Sequence, residues 1–305
     1  MKSALLALSL LAAQEEPNPL AGAIDFHCHS GPDALPRSLN DLELVRLAKR
    51  SGLRGLVLKN HFTMTADRAA LAMQEVGGGI EVFGGIALNR AVGGLNAEAV
   101  RKMAQFEGRR GKVVWLPTFD AENHVKHAKE SRPFVSVVRD GAPVPELTEV
   151  FKLIAEHDLV LQTGHASVAE CAVLIEAAKK AGVKRILITH AMADPINAGE
   201  ADLKRFAGMG ALMECVWATH LAGPHAPSPS GRAQTRVTVA DYAKAIKAVG
   251  AEHFVLSSDL GQQLNPVHPD GLRAFILGLK AEGLTEREVD LVARKNAARL
   301  LGLDR

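Results

Sequence analysis

Along most of the chain, short apolar runs alternate with longer runs in which apolar residues recur every three or four positions. The short runs are rich in Val, Ile, Leu and Phe, which is typical of parallel strands buried on both faces. The pattern begins near Ala23 and predicts eight strands. They are Ile24–His29, Arg54–Lys59, Ile80–Leu88, Val113–Thr118, Leu159–Thr163, Arg185–Thr189, Ala211–Trp217 and Phe254–Ser258.

The longer runs have the spacing of amphipathic helices. Glycines such as Gly52, Gly182 and Gly250 stand between a helix and the next strand, where a helix end needs a positive φ. Asn40 or Asp41 can cap the first helix. The predicted helices are Leu39–Arg50, Ala66–Val76, Ala97–Phe106, Leu147–His157, Val168–Ala181, Ala201–Ala207 and Val239–Val249.

Eight strands that alternate with helices predict a (β/α)8 TIM barrel, an α/β fold. A doubly wound open sheet is the alternative, but it favours a glycine-rich phosphate loop after the first strand, and none is present. No linker divides residues 22–305, so we expect a single domain. The connection Ala121–Glu146 after strand four is long and contains three prolines, and it is predicted to be a lid-like insertion. A second long loop spans His220–Arg236.

Composition narrows the range of partners. The chain has 305 residues, a formal net charge of +2 and 4% aromatic residues. Without a basic run or a stacking surface, neither nucleic acid nor a membrane is an expected partner. The three cysteines, Cys28, Cys171 and Cys215, show no metal or redox spacing and are interpreted as buried small side chains.

Residues 1–21 resemble a secretory signal peptide with a short following segment. One lysine precedes the apolar run Ala4–Ala13, and a polar stretch follows it. This predicts a periplasmic or secreted protein. A cytoplasmic protein whose N-terminal helix packs on the domain is the alternative.

Polar side chains cluster where the predicted strands end. In a barrel these ends meet at one face, where active sites are built. Five of the twelve histidines fall at the ends of four strands, and a shared cation would explain why so many polar groups enter one core. The strand-end residues are His27 and His29, Lys59, Asn60 and His61, His165, His190, and Asp259.

This order of residues resembles the amidohydrolase superfamily of metal-dependent barrel hydrolases. The similarity comprises His27-x-His29 on strand one, His165 on strand five, His190 on strand six and Asp259 on strand eight. The resemblance implies that His27, His29 and Asp259 hold a divalent ion and that His165 and His190 hold a second one. With one ion only, His165 joins the first group and His190 faces the substrate. Zn is the first expectation for the metal, and Mn or Fe also suits these donors.

One bridging ligand departs from the family pattern. Many members have a carboxylated lysine or a glutamate at the end of strand four, whereas this chain has Trp115-Leu116-Pro117-Thr118 there. Lys59 on strand two is the substitute. When buried it loses its proton readily and could carry a bridging carbamate. The alternatives are a contact to a substrate carboxylate or an ion pair with Asp25.

The remaining polar residues near the strand ends are candidates for substrate binding. His61 could bind substrate or metal, and Arg37 could bind an anionic group. Glu214 interrupts an apolar strand and could belong to the site. His124, His127, His220 and His225 lie in the two long loops, and His157, His253 and His268 are interpreted as surface or helix-end groups. The substrate-binding set is completed by Asn60, Asn89 and Thr118.

The sequence therefore predicts a metal-dependent hydrolase that attacks an amide, lactone or ester bond of a small molecule. Asp259 and His190 are the predicted acid–base residues, together with Lys59. Decarboxylation or phosphoester hydrolysis on the same barrel is the second hypothesis. A non-catalytic barrel that binds a metal or a ligand is the third. Assembly into a homo-oligomer remains open.

Overall fold

The computed structural model describes residues 17–304, and its centre is an eight-stranded parallel sheet. Each strand pairs with the next one in chain order. The strands are β1 (Ile24–His29), β2 (Gly55–Lys59), β3 (Glu81–Ala87), β4 (Gly111–Trp115), β5 (Val160–Gln162), β6 (Arg185–Ile188), β7 (Leu212–Val216) and β8 (Phe254–Ser257).

The sheet closes into a barrel just beyond the end of β8. The Asp259 amide donates to the His27 carbonyl at 2.9 Å, and the His29 amide donates to the Leu260 carbonyl at 2.9 Å. These bonds join the last strand to the first. The predicted (β/α)8 barrel is therefore confirmed, and the open doubly wound sheet is wrong.

Helices surround the barrel. The Asn40 side chain accepts a hydrogen bond from the Glu43 amide and caps the first helix. Of the two caps that the sequence offered, Asn40 and Asp41, the structure therefore uses Asn40. The helices are α1 (Asp41–Arg50), α2 (Ala66–Glu75), α3 (Ala97–Gln105), α4 (Glu122–His127), α5 (Leu147–Glu156), α6 (Val168–Lys180), α7 (Glu200–Gly208), α8 (Val239–Val249), α9 (His268–Ala281), α10 (Glu286–Asp290) and α11 (Asn296–Leu301), with a π-helical turn at Leu291–Lys295.

Side chains alternate between the barrel interior and the layer under the helices. On β2, Val57 belongs to the interior cluster, and Lys59 follows it on the same face. β1 is different, because its pairing with β2 shifts register between Asp25 and Cys28. This irregularity moves the inward face from Phe26 to His27, so both β1 histidines enter the mouth of the barrel.

The segment after β4 crosses the carboxyl ends of the strands. It contains α4 and a short hairpin made of Val138–Arg139 and Ala142–Pro143. The expected lid-like insertion is thus an ordered segment with secondary structure of its own. No helix within residues 17–304 has the length and apolar character needed to cross a membrane. The predicted signal peptide falls almost entirely in residues 1–16, which lie outside the described residues.

Candidate metal centre and active site

The carboxyl ends of β1 and β8 bring three metal-ligating side chains together. Two imidazole nitrogens, His27 Nε2 and His29 Nε2, lie 3.1 and 3.2 Å from the same oxygen, Asp259 Oδ1. One ligand atom from each residue can be chosen so that all three lie within 4.8 Å of one another. Within residues 17–304 this is the one group of three or more His, Cys, Asp or Glu side chains that converges in this way.

The turn after β8 is shaped to place Asp259. Its φ is 51°, a left-handed value that few residues with a side chain adopt. Two residues later, Gly261 has a φ of 123°, and a Cβ there would lie 1.9 Å from the His29 carbonyl oxygen. Glycine therefore allows this turn to pack directly against the end of β1, beside the two histidines.

The chemistry of these donors fits a divalent ion. Two imidazoles and a carboxylate suit Zn²⁺, and also Mn²⁺ or Fe²⁺. Burial lowers the pKa of His27 to about 3 and holds the pKa of His29 well below its usual range. Both imidazoles are therefore neutral at neutral pH, which is the form that binds a metal.

Glu214 contacts the ring nitrogen of His27 that does not face Asp259. Its Oε2 atom is 3.3 Å from His27 Nδ1 and accepts a hydrogen bond from the His190 amide at 3.0 Å. Its Oε1 atom accepts from the Ser257 hydroxyl at 2.8 Å. A proton on His27 Nδ1 satisfies the carboxylate and leaves the lone pair on Nε2, the atom that approaches Asp259.

Lys59 approaches the same ligand atom from β2. Its Nζ atom is 2.9 Å from His27 Nε2 and 5.4 Å from the centre of the Trp115 ring. Burial lowers the pKa of Lys59 to about 8, so a substantial fraction of neutral amine is present in mildly alkaline solution. The predicted carbamate stays a prediction, because the position fits it but does not test it.

His165 and His190 lie next to each other, close to the group around Asp259. Their ring centroids are 4.9 Å apart, and His190 stacks at 6.4 Å from His27. His165 Nδ1 lies 2.9 Å from His124 Nδ1 on α4. Neither residue joins the convergent group around Asp259, and ligation of a second ion by this pair stays a prediction.

His61 is held between two ring neighbours. Its centroid is 4.8 Å from that of His29 and 3.9 Å from that of Phe119. His61 Nδ1 is 2.8 Å from Thr118 Oγ1, and Asn89 Nδ2 donates to that hydroxyl oxygen at 2.7 Å. Asn89 and Thr118 therefore orient His61, whereas His61 itself lines the cavity.

Of two other residues predicted to bind substrate, one lines the cavity and the other is held in a turn. Arg37 lines the cavity, where its Nε donates to Asp33 Oδ2 at 2.7 Å and its Nη2 lies 3.3 Å from His29 Nδ1. Asn60 accepts hydrogen bonds from the Phe62 and Thr63 amides at 2.8 and 3.1 Å. With these bonds the Asn60 side chain stabilises the turn that follows β2.

The cavity above the metal-ligating group has a volume of about 500 Å³, which suits a small molecule. Both long loops contribute to it, the segment after β4 and the loop after β7. The polar lining comprises His29, Arg37, Lys59, His61, His124, His127, His165, His190, Asp194, Thr219, Ser230, Gln234, Asp259 and Gln262.

One histidine was only partly anticipated from the sequence. His268 was expected to be a surface or helix-end group; it does begin a helix, but it is 1% exposed and its Nε2 lies 2.9 Å from the His29 carbonyl oxygen. It begins α9 and is followed by Pro269, which is an ordinary start for a helix, so no local pattern showed its contact. Glu214, by contrast, had a visible signal, because it is an acidic residue within an apolar strand.

The barrel fold of this chain is similar to that of several solved enzyme structures. A candidate 2-pyrone-4,6-dicarboxylic acid hydrolase from Pseudomonas putida is 19% identical, with a TM-score of 0.60, and 93% of this chain and 98% of that chain are covered. The organophosphorus hydrolase of Deinococcus radiodurans is 18% identical, with a TM-score of 0.60 and coverage of 93% and 94%. The 2,6-dihydroxybenzoate decarboxylase from Rhizobium is 11% identical, with a TM-score of 0.59 and coverage of 93% and 100%.

A family model also matches residues 22–214, and its description is "Family of unknown function (DUF6282)". The chain belongs to this family. No curated protein matches the sequence. At these identities the solved structures establish the fold alone, and this fold is the barrel that the resemblance of the strand-end residues implied.

Proposed function

We propose that this protein is a metal-dependent hydrolase that acts on an amide, lactone or other ester bond of a small molecule. The observation that carries the proposal is the approach of His27 Nε2 and His29 Nε2 to one oxygen of Asp259, at 3.1 and 3.2 Å, beside a cavity of about 500 Å³. A structural site would be closed by protein ligands, whereas this group borders open space.

The proposed cofactor is one or two divalent ions, with zinc first and manganese or iron as alternatives. His27, His29 and Asp259 would hold the first ion. A bound ion of this kind polarises a carbonyl oxygen and lowers the pKa of a bound water toward ~7. A second ion held by His165 and His190, and a bridging carbamate on Lys59, remain part of the proposal and are separable by metal stoichiometry.

The protein's own groups supply proton transfer and orientation. The Asp259 side chain is 19% exposed and faces the cavity, so it can accept a proton from the attacking water and return it to the leaving group. His190, 5% exposed, borders the same space and is the second proposed acid–base group. Arg37 and His61 line the wall and would bind the substrate, with Arg37 favouring an anionic group.

Decarboxylation is the alternative reaction. Arg37 and Lys59 place two cationic side chains in the lining, which suits a substrate carboxylate close to the metal-ligating group. The likeness to a Rhizobium 2,6-dihydroxybenzoate decarboxylase is compatible with this chemistry, and the likeness to a Deinococcus organophosphorus hydrolase is compatible with phosphoester hydrolysis. Fold alone does not choose among these reactions.

The test combines metal analysis with a substrate panel. The purified protein is assayed for bound metal by elemental analysis, then stripped with a chelator and reloaded with Zn or Mn. Turnover is measured on lactones, esters, amides, phosphotriesters and hydroxybenzoates. We expect hydrolysis that is lost on stripping and restored by reloading, and decarboxylation without hydrolysis would favour the alternative.

Matched variants complete the test. His27→Ala and Asp259→Ala should lose both metal and turnover, while His157→Ala, an exposed histidine just before β5 at the amino ends of the strands, should keep both. Full activity in the first two variants would contradict the proposal. Metal that resists removal until the protein unfolds, with no turnover on any substrate, would support a non-catalytic barrel instead.

A further inference from the structure

A buried carboxylate joins the first and last strands of the barrel just before their candidate ligands. Asp25 Oδ1, on β1, accepts a hydrogen bond from the Ser258 amide at 2.8 Å, across the seam between β1 and β8. The same oxygen accepts from the His27 amide at 3.3 Å. His27 is a candidate metal ligand, and Ser258 immediately precedes another one, Asp259. One carboxylate oxygen therefore contacts the backbone of both strands where their ligands begin.

The contact with His27 lies inside the irregular part of β1. Asp25 is the register partner of Leu56 on β2. Cys28, three residues later, is the partner of Leu58, so between these pairs β1 has two residues and β2 has only one. Such a bulge disrupts the ladder of backbone hydrogen bonds. An aspartate oxygen that accepts from the amide two residues on stabilises a local turn, so Asp25 restrains the bend that directs His27 into the barrel mouth.

The Ser258 side chain continues this hydrogen bonding around Asp259. Its hydroxyl donates to the His27 carbonyl oxygen at 3.4 Å and accepts from the Leu260 amide at 3.2 Å. The Asp259 amide donates to the same His27 carbonyl at 2.9 Å. The left-handed backbone of Asp259, with a φ of 51°, is thus held by hydrogen bonds on both sides.

Asp25 is fully buried, and only one of its two oxygens has a hydrogen-bond partner. Oδ2 has none among residues 17–304. The ion pair with Lys59 that the sequence left open is not formed there, because Lys59 Nζ contacts His27 Nε2 instead. A buried carboxylate oxygen without a partner lowers stability. Stability alone therefore does not explain an aspartate at this position, whereas the two bonds of Oδ1 connect it to the candidate metal centre.

We propose that Asp25 is a positioning residue for the candidate metal centre and fixes the ends of β1 and β8 relative to each other. It acts through the backbone, because it bonds to the His27 and Ser258 amides and to neither metal nor substrate. A carboxylate oxygen has two lone pairs, so one atom can hold both amides. The expected effect on metal affinity rests on the proposed function, while the restraint on the two amides is independent of a metal.

The first test removes the acceptor and keeps the shape of the side chain. Asp25→Leu has no oxygen, whereas Asp25→Asn retains one oxygen that can accept from both amides. Zinc affinity is measured by competition with a chromophoric chelator. We expect a loss of about tenfold or more in Asp25→Leu, because residues that orient metal ligands typically contribute about 10- to 100-fold to affinity. Asp25→Asn should stay within about threefold of the wild type, since it keeps the acceptor.

A destabilised control separates positioning from general stability. Leu153→Ala removes a buried side chain from α5, which precedes β5, four strands away from β1. Like Asp25→Leu, it should unfold at a lower urea concentration than the wild type. It should nevertheless bind zinc with wild-type affinity, because its folded form retains the ligand geometry. If Asp25→Leu also bound zinc with wild-type affinity, its role would be structural only and the inference would be overturned.

Hydrogen exchange of the metal-free protein provides a second readout that needs no zinc. The amide protons of His27 and Ser258 are followed by nitrogen-15 NMR, and the Val114 amide on β4 is the internal reference. We expect both amides to exchange about tenfold faster or more, relative to Val114, in Asp25→Leu. In Asp25→Asn and in Leu153→Ala the relative rates should match those of the wild type.

The two readouts distinguish failure of this inference from failure of the proposed function. Unchanged relative exchange of the His27 and Ser258 amides in Asp25→Leu would overturn the positioning role, even in a protein that binds zinc. A wild type that takes up no zinc would instead contradict the proposed function, and the exchange rates would still decide the role of Asp25. Asp25→Ala takes the place of Asp25→Leu in both measurements if the leucine variant does not fold.

Discussion

The Glu214 carboxylate lies 3.3 Å from His27 Nδ1, and both side chains are fully buried. This contact fixes which nitrogen of His27 carries the proton and makes Nε2 a better metal ligand. Glu214→Gln retains the shape of the side chain but removes its negative charge. We expect zinc affinity to fall about 10- to 100-fold in this variant.

The measurement is a competition titration against a chromophoric zinc chelator. Glu252→Gln, which changes an exposed glutamate, should bind zinc as the wild type does and serves as the control. Glu214→Leu removes the hydrogen bonds as well as the charge and should be less stable than Glu214→Gln. Wild-type zinc affinity in Glu214→Gln would show that the contact does not tune His27.

Metal binding should stabilise the folded chain. Zinc at 100 times its Kd adds about 2.7 kcal/mol to the free energy of unfolding, because it binds the native state only. Thermal unfolding of the wild type should therefore shift upward with zinc and return on addition of a chelator. Asp259→Asn should show little or no shift, and the exposed Asp270→Asn should behave as the wild type does. An equal zinc shift in Asp259→Asn would place the ion elsewhere.

Gly261 is a position where one added carbon should disrupt the site. A Cβ there would lie 1.9 Å from the His29 carbonyl oxygen, and the φ of 123° is unfavourable for alanine. We expect Gly261→Ala to lower the free energy of unfolding by about 3 kcal/mol and to weaken zinc binding. Urea denaturation and zinc titration measure the two effects. Gly208→Ala, on a helical glycine with nothing within 4 Å, should be neutral or stabilising.

Lys59 offers a direct test of the carbamate. Carbon dioxide would react with the neutral amine, which is accessible near the lowered pKa of about 8, and the nitrogen would lose a proton. Wild-type protein equilibrated with carbon-13 bicarbonate should show a carbamate resonance that Lys59→Met lacks and Lys126→Met retains. If the wild type shows no such resonance and Lys59→Met binds the same amount of metal, the bridging role is wrong.

Most of the fold followed from the hydrophobic pattern. All eight strands lie within three residues of their predicted bounds, because strands buried on both faces have a strong local composition. The helices α4, α9, α10 and α11 were not predicted. α4 has six residues and ends in a basic stretch, and α9 begins with His-Pro-Asp-Gly, which locally resembles a turn.

The sequence predicted which strand-end residues belong to the candidate site, but it did not predict the contacts between them. His27, His29 and Asp259 could be placed together because the carboxyl ends of barrel strands meet. The register shift in β1, which turns both histidines inward, has no signal in the local sequence. Neither does the contact of His268 with the end of β1, because it depends on how α9 packs.

The role of the segment after β4 was only partly predictable. Its length and prolines indicated an excursion over the strand ends, and the histidines in it were noted. That His124, and not the neighbouring exposed His127, contacts His165 depends on the docking of α4 through Asn123. The sequence pattern does not predict which face of α4 is turned toward the barrel.

The closure of the barrel beyond β8 has a consequence for folding. The candidate ligands His27 and Asp259 come from the first and last strands, so the ligand group forms only when the whole barrel has assembled. An ion bound there would cross-link two distant parts of the polypeptide much as a disulfide does, and would restrict the chain on both sides of the seam. Metal uptake during refolding would thus report the final step of assembly, and truncation before β8 would abolish it.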